Sequence, residues 1–177
     1  MSDLLMKRSA IIRDGCRFEL RRVWGGGPLA AWLMCNPSYA DSDKDDPTML
    51  RVIHFSRSWG YAGVIVLNCF PYISPSIPEL KRWLALGGKD GDTTTRLINE
   101  NVVYIQRALE GASHRRIVAF GNTAFSLPKA REAINEFQKR PCYSLGQTKH
   151  GAPIHPLARG KHRVPNNAVP KLWEVEA

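Results

Sequence analysis

The sequence lacks any apolar run near the roughly 20 residues that a membrane-spanning helix needs. Its first eight residues also lack the apolar stretch and small-residue cleavage site of a secretory signal. We therefore expect a cytoplasmic protein that has no membrane partner.

Cysteine is scarce, and its spacing excludes the common metal sites. The four cysteines, each within or beside an apolar run, form no Cys-x-x-Cys pair, and no histidine stands at ligand spacing from any of them. They are Cys16, Cys35, Cys69 and Cys142. We expect buried or partly buried free thiols, no metal and no other cofactor.

Acidic residues are the minority among the charged side chains. The chain has 25 lysines and arginines against 16 aspartates and glutamates, a net charge of +9. Part of the excess lies in Arg159, Lys161, Arg163 and Lys171. This charge indicates either a solubilising surface or a partner that carries phosphate, such as a nucleotide or a nucleic acid.

The 177 residues suit one α/β domain, residues 1–177, with a core at about 9–165 and a basic C-terminal tail. An alternating pattern around Asp14-Gly15 predicts a hairpin at 9–24. Apolar runs predict strands at 29–35, 63–70, 116–120 and 142–145. Helices are predicted after Asp46-Pro47, through Leu80 to Leu84, at 93–110 and at 128–139.

This order of elements predicts a three-layer αβα fold. Its central, mostly parallel sheet has four strands, and an N-terminal β-hairpin is added to it. In such sheets, ligands bind beyond the carboxyl ends of the strands. Those ends carry Asn36-Pro37-Ser38, Asn68-Cys69-Phe70, Gly121-Asn122 and Gly146–Lys149. We therefore expect a polar site where these loops meet.

Three features at these strand ends suggest chemistry, and each has a structural alternative. The acidic loop from Asn36 to Asp46 could orient a water or bind a ribose, or it could be a simple turn. The Asn68 amide could pair with a nucleobase that stacks on Phe70 or Tyr72, or it could cap its strand beside core aromatics. His155 could donate to an oxygen that gains negative charge, or it could be structural.

Seven segments of the chain together resemble the family called domain of unknown function 1643, over roughly residues 9–165. The resemblance is carried by Trp32–Asp41, Asp45–Arg51, Phe55–Tyr61, Val66–Phe70, Val118–Gly121, Leu145–Lys149 and His155–Leu157. One segment departs from the family pattern: residues 89–93 read Lys-Asp-Gly-Asp-Thr where the family usually has Gly-Pro-Glu-Asn-Asp.

The motif order is also similar to that of the uracil-DNA glycosylase superfamily. There, an Asn-Pro or Asp-Pro loop positions the attacking water, a later strand-end Asn reads the base, and the His of a His-Pro-Ser loop stabilises the departing base. Asn36-Pro37, Asn68 and His155-Pro156 match in order and setting, with Leu157 in place of Ser. The resemblance implies a glycosylase-like fold and hydrolysis of an N-glycosidic bond.

These patterns define a set of candidate site residues. The candidate catalytic residues are Asn36, Asp41 and His155. The candidate ligand-binding residues are Pro37, Ser38, Asp46, Arg51, Asn68, Phe70, Gly121 and Lys149.

Three functions stay open at the level of sequence. The first is a glycosylase-like hydrolase acting on a base in DNA or in a free nucleotide. The second is a non-catalytic protein that binds or sequesters a nucleotide-derived ligand in the same pocket. The third is a DNA-binding module without a small-molecule pocket, for which affinity would fall steeply with salt.

Overall fold

The structure is a computed structural model that describes residues 6–86, 93–110 and 114–174. The predicted loop at 87–92 and the predicted helix end at Gly111 lie outside the described residues. Among the described residues, no helix has the length and apolarity that crossing a membrane requires.

The chain begins with the predicted hairpin, formed by β1 (Lys7–Arg13) and β2 (Cys16–Val23). Asp14 and Gly15 both adopt positive φ, 52° and 68°. Two such residues give the tight turn whose twist matches that of the flanking strands. The pairing shifts by one residue between Ile11 and Ile12, so that Phe18 is the extra residue of a β-bulge in β2.

The remaining elements alternate between strands and helices, and most lie close to their predicted positions. They are β3 (Leu29–Met34), α1 (Pro47–Ser58), β4 (Gly63–Asn68), α2 (Ile77–Leu86), α3 (Thr93–Leu109), β5 (Arg115–Val118), α4 (Gly121–Ser126), α5 (Arg131–Gln138), β6 (Cys142–Ser144) and β7 (Lys171–Leu172). Helix α1 starts as predicted, with Asp46 as N-cap and Pro47 in the first turn.

Across the described residues, the strands form one mixed sheet of seven, in the order β1-β2-β4-β3-β5-β6-β7. The four predicted core strands, β4, β3, β5 and β6, pair in parallel. The sheet is larger than expected because β2 pairs antiparallel with β4 and β7 pairs antiparallel with β6. The hairpin therefore extends the sheet on one side, and β7, from the basic tail, is the edge strand on the other side.

Side chains of β3 alternate between two apolar cores, one on each face of the sheet. Ala31 and Leu33 enter the core that includes residues of α2, α3 and α5. Trp32 and Met34 enter the core that includes residues of α1. Helices therefore cover both faces, as expected for a sheet whose central strands are apolar throughout.

One local prediction was wrong. The Gly121-Asn122 pair at the end of the strand predicted at 116–120 indicates a turn, whereas the structure has Gly121 at φ 69° beginning the six-residue helix α4. The Gly-Asn pair is a strong turn signal, and the four residues that follow carry no competing helix signal that would reveal so short a helix.

Candidate functional site

A cavity of about 370 Å³ lies at the carboxyl ends of β3, β4 and β5. In the sheet, β3 lies between β4 and β5, so the chain passes from β3 to β4 on one side and later returns past β3 to β5 on the other side. The strand order therefore reverses at the carboxyl end of β3, beside the cavity. Open α/β sheets bind ligands at such points. The polar residues that line the cavity include Arg17, Asn36, Asp46, Asn68 and His155.

Arg17 fixes the orientation of the Asn68 amide. Its Nη1 donates to the Ala40 carbonyl at 2.7 Å and its Nη2 donates to Asn68 Oδ1 at 3.2 Å. Because a guanidinium can only donate, the amide must turn its oxygen toward Arg17. The Asn68 Nδ2 group, which has no protein partner among the described residues, is therefore left to face the cavity.

Arg17 itself is only 4% exposed, and its Nε has no partner among the described residues. Burial lowers the pKa of Arg17 to about 10, while the nearby charge of Asp46 acts in the opposite direction. The guanidinium is still cationic at neutral pH. It is therefore a buried positive charge in the wall of the cavity.

The backbone of Asn68 is held from the other side of the sheet. Asn101, fully buried on α3, donates through Nδ2 to the Asn68 carbonyl at 2.8 Å. Asn68 is thus fixed at its side chain by β2 and at its main chain by α3. Such a supported amide is preorganised for recognition.

Asn36 joins the loop after β3 to the loop after β4. Its Nδ2 donates to the carbonyls of Ser74 at 2.7 Å and Pro37 at 3.2 Å. The Ser74 backbone N–H in turn donates to the Pro37 carbonyl at 2.9 Å. These bonds occupy the donors of the Asn36 amide, so Oδ1 is the group that can accept from a ligand or a water.

Asp46 combines a structural role with a place in the cavity wall. Its Oδ1 accepts from the Met49 N–H at 2.8 Å and so caps α1, while its other oxygen has no partner among the described residues. The loop before it is held by the fully buried Arg22, which pairs with Asp45 at 2.8 Å and donates to the carbonyls of Asp41 and Lys44.

His155 is neutral at physiological pH and has a fixed tautomer. Its Nδ1 accepts from the Leu157 N–H at 3.1 Å, which leaves the ring proton on Nε2. Burial lowers the pKa of His155 to about 4, against an opposing effect of Asp46. The imidazole can therefore donate a hydrogen bond from Nε2 without carrying charge.

The structure brings six of the predicted site residues to the cavity wall and leaves the other five outside it. Those that line the cavity are Asn36, Ser38, Asp46, Asn68, Gly121 and His155. Those that do not line it are Pro37, Asp41, Arg51, Phe70 and Lys149. The chemical roles assigned to the first group remain predictions.

The residues outside the cavity have structural environments of their own. Asp41 accepts from the N–H groups of Asp43 and Lys44, which lower its pKa and fix a turn. Arg51 lies over the Phe55 ring and donates to the Val164 carbonyl. Phe70 is fully buried in the core, and Lys149 is exposed.

Sequence reasoning missed two prominent residues of the wall, Arg17 and Phe120. The bulge at Phe18 interrupts the alternation of β2, so the simple pattern does not predict where Arg17 points. Phe120, rather than Phe70 or Tyr72, supplies the aromatic surface, and Tyr72 stacks on Trp83 instead. Among the described residues, no group of three or more His, Cys, Asp or Glu side chains could hold a metal ion.

A family model described as "Protein of unknown function (DUF1643)" matches residues 17–157, well over half of the chain. The chain belongs to this family. The DUF1643 match begins at Arg17 and ends two residues after His155, so every residue of the cavity wall lies within it. Comparison with curated proteins gave no match, and comparison with solved structures gave none.

Proposed function

We propose that this DUF1643 protein recognises a nucleobase in the strand-end cavity and hydrolyses its N-glycosidic bond, in DNA or in a nucleotide. The observation that carries the proposal is the shared position of Asn36, Asn68 and His155. Asn36 and His155 lie in the loops after β3 and β6, and Asn68 is the last residue of β4, yet all three line one cavity.

The hydrogen-bond donors in the cavity wall favour nucleobases that present an acceptor to Asn68. Arg17 occupies the Asn68 oxygen, so the amide offers N–H donors to the cavity. An N–H donor pairs with a carbonyl oxygen and meets an amino group unfavourably. We therefore infer that the site prefers bases with a carbonyl at this edge, such as uracil, thymine or hypoxanthine, over cytosine or adenine.

The state of His155 supports stabilisation of a departing base. When the glycosidic bond breaks, the electron pair leaves with the base, and negative charge spreads to its carbonyl oxygens. A neutral imidazole with its proton on Nε2 can donate to such an oxygen. One preorganised donor of this type typically contributes about 2.7–4 kcal/mol of transition-state stabilisation.

Two broader features agree with the proposal. The four parallel strands with helices on both faces are compatible with a fold like that of the uracil-DNA glycosylase superfamily. The net charge of +9 favours a phosphate-bearing substrate. On duplex DNA, the base would have to leave the stack to enter the cavity.

The test is direct measurement of base release. The protein is incubated with oligonucleotides that contain uracil, hypoxanthine, thymine or cytosine, and with the matching nucleotides, and free base is quantified by mass spectrometry. We expect release of uracil, thymine or hypoxanthine, lowered at least 100-fold in Asn68→Ala and His155→Ala. The control Asn99→Ala, at an exposed site on α3, should keep the wild-type rate. No release from any substrate would contradict hydrolysis.

A non-catalytic binder of a nucleotide-derived ligand is the second candidate. It is favoured by the amide of Asn36, whose donors are already bonded to backbone carbonyls and which is not itself a base. This candidate predicts that a nucleotide raises the melting temperature of the protein. It also predicts that no base is released.

A further inference from the structure

We propose that Asp46, rather than Asp41, accepts the proton of the attacking water. This inference depends on the proposed hydrolysis. Hydrolysis needs a group that can take a proton from water as the sugar is attacked. Both aspartates lie in the acidic loop between β3 and α1, but only Asp46 reaches the wall of the cavity.

The other polar groups of the wall are unsuited to this role. Arg17 is cationic and has no lone pair to offer. The Nδ1 lone pair of His155 is taken by the Leu157 N–H, and its Nε2 carries the proton. The Cys35 thiol remains protonated because burial raises its pKa to about 12. Among the described residues that line the cavity, Asp46 is the one carboxylate.

The geometry of Asp46 fits a water-holding role. One carboxylate oxygen is fixed by the Met49 N–H at the start of α1, so the side chain has a defined orientation. The second oxygen has no partner among the described residues. Arg17, Asp46 and His155 all line the same cavity. Asn36 lines the same cavity, and because its Nδ2 is bonded to backbone carbonyls, its Oδ1 is the group that can accept from such a water.

The reaction step balances with these groups alone. The water oxygen forms a bond to the sugar C1′, and a water proton passes to the Asp46 carboxylate. The bond from C1′ to the base nitrogen breaks, and its electron pair leaves with the base, whose oxygen accepts from His155 Nε2. The proton held by Asp46 then passes to the departing nucleobase, directly or through solvent, which restores the carboxylate. The products are the free base and a sugar with a hydroxyl at C1′.

The decisive variant is Asp46→Asn, because asparagine keeps the helix cap and removes only the ability to take a proton. Asp46→Ser, which also caps helices, serves as a second variant. Single-turnover base release is measured at saturating substrate, and substrate affinity is measured separately. Asp43→Asn, in the exposed part of the same loop, is the matched control. Asp41→Asn tests the competing assignment.

We expect the single-turnover rate to fall by about 10²–10⁴-fold in both Asp46 variants, the usual contribution of a general base. Substrate affinity should stay within about threefold of wild type, and Asp43→Asn and Asp41→Asn should keep the wild-type rate. The proposal is overturned if either Asp46 variant loses less than 100-fold in rate, or if Asp41→Asn loses as much as the Asp46 variants. A wild-type protein that releases no base would instead overturn the proposed function, and this inference with it.

Discussion

Arg17 Nη2 lies 3.2 Å from Asn68 Oδ1, and this contact decides which end of the Asn68 amide faces the cavity. The orientation follows from chemistry, since a guanidinium offers hydrogens and no acceptor. A buried arginine on the N-terminal hairpin thereby sets the polarity of a strand-end site. The first prediction follows from this relationship.

Replacing Arg17 with methionine should weaken discrimination between bases that present a carbonyl and bases that present an amino group to Asn68. Without the guanidinium, the Asn68 amide can turn either end to the cavity. We expect the ratio of affinities for uracil and cytosine, measured by calorimetry, to fall about tenfold, within the 1–3 kcal/mol that a good base-edge contact supplies. Arg21→Met is the control, because Arg21 lies on the same strand, pairs with Glu19 and does not line the cavity. An unchanged ratio in Arg17→Met would show that Arg17 does not orient the amide.

Acid should destabilise the protein through His155. The unfolded state takes up a proton near pH 6.5, whereas the folded state does so only near pH 4. The unfolded state therefore binds more protons between these values, and stability falls as the pH drops from about 6.5 toward 4. For this one group, the loss is on the order of 1–2 kcal/mol by pH 5.

The variant His155→Leu removes this titration. Its melting temperature should fall less than that of wild type between pH 7 and pH 5. Calorimetric melting at both pH values checks the expectation. An equal fall in wild type and variant would place the acid sensitivity elsewhere.

The buried pair of Arg22 and Asp45 should be essential for the loop that carries Asp46. The side chain of Arg22 is fully buried and that of Asp45 is 8% exposed. Asp45→Ala leaves the guanidinium without its carboxylate, which costs about 3 kcal/mol for a buried ion pair. Urea unfolding measures this loss. Asp43→Ala, at an exposed site in the same loop, should change the free energy of unfolding by less than about 0.5 kcal/mol.

Gly63 is tightly packed between β2 and β3 at the start of β4. A Cβ at this position would lie 2.6 Å from Leu29 Cδ2 and 2.7 Å from the Arg22 carbonyl oxygen. Gly63→Ala should therefore lower the free energy of unfolding by about 2 kcal/mol. In Gly26→Ala, the new Cβ would meet no atom within 4 Å, so that variant should be neutral or slightly more stable. Equal stability of the two variants would contradict this packing.

The sequence predicts those parts of the fold whose signals are local. Asp14-Gly15 marks the hairpin turn, and Asp46-Pro47 marks the start of α1. The convergence of Asn36 and Asn68 also follows from sequence, because parallel strands bring their carboxyl ends to one edge of a sheet. The place of His155 depends on the fold of the loop after β6. The free thiols were expected as well, and the structure contains Cys16, Cys35, Cys69 and Cys142 as free cysteines.

What the sequence does not predict is the direction in which a polar side chain points. Arg17 turns inward because of a bulge that depends on how β1 and β2 pair. Arg51 turns away from the cavity because the tail at Val164 supplies an acceptor for it. Asp41 and Asp46 have the same side chain, and only the fold of their loop makes Asp41 a turn residue and Asp46 a cavity residue.

Nuclear magnetic resonance of the ¹⁵N-labelled protein, titrated with free uracil or hypoxanthine, tests the shared cavity most directly. We expect the side-chain signals of Asn68 Nδ2 and His155 Nε2 to shift together, with one dissociation constant, while the Asn99 side-chain signal stays unchanged. A single nucleobase site between Asn68 and His155 would be contradicted if neither base shifts these two signals. It would also be contradicted if the two signals shift with different dissociation constants.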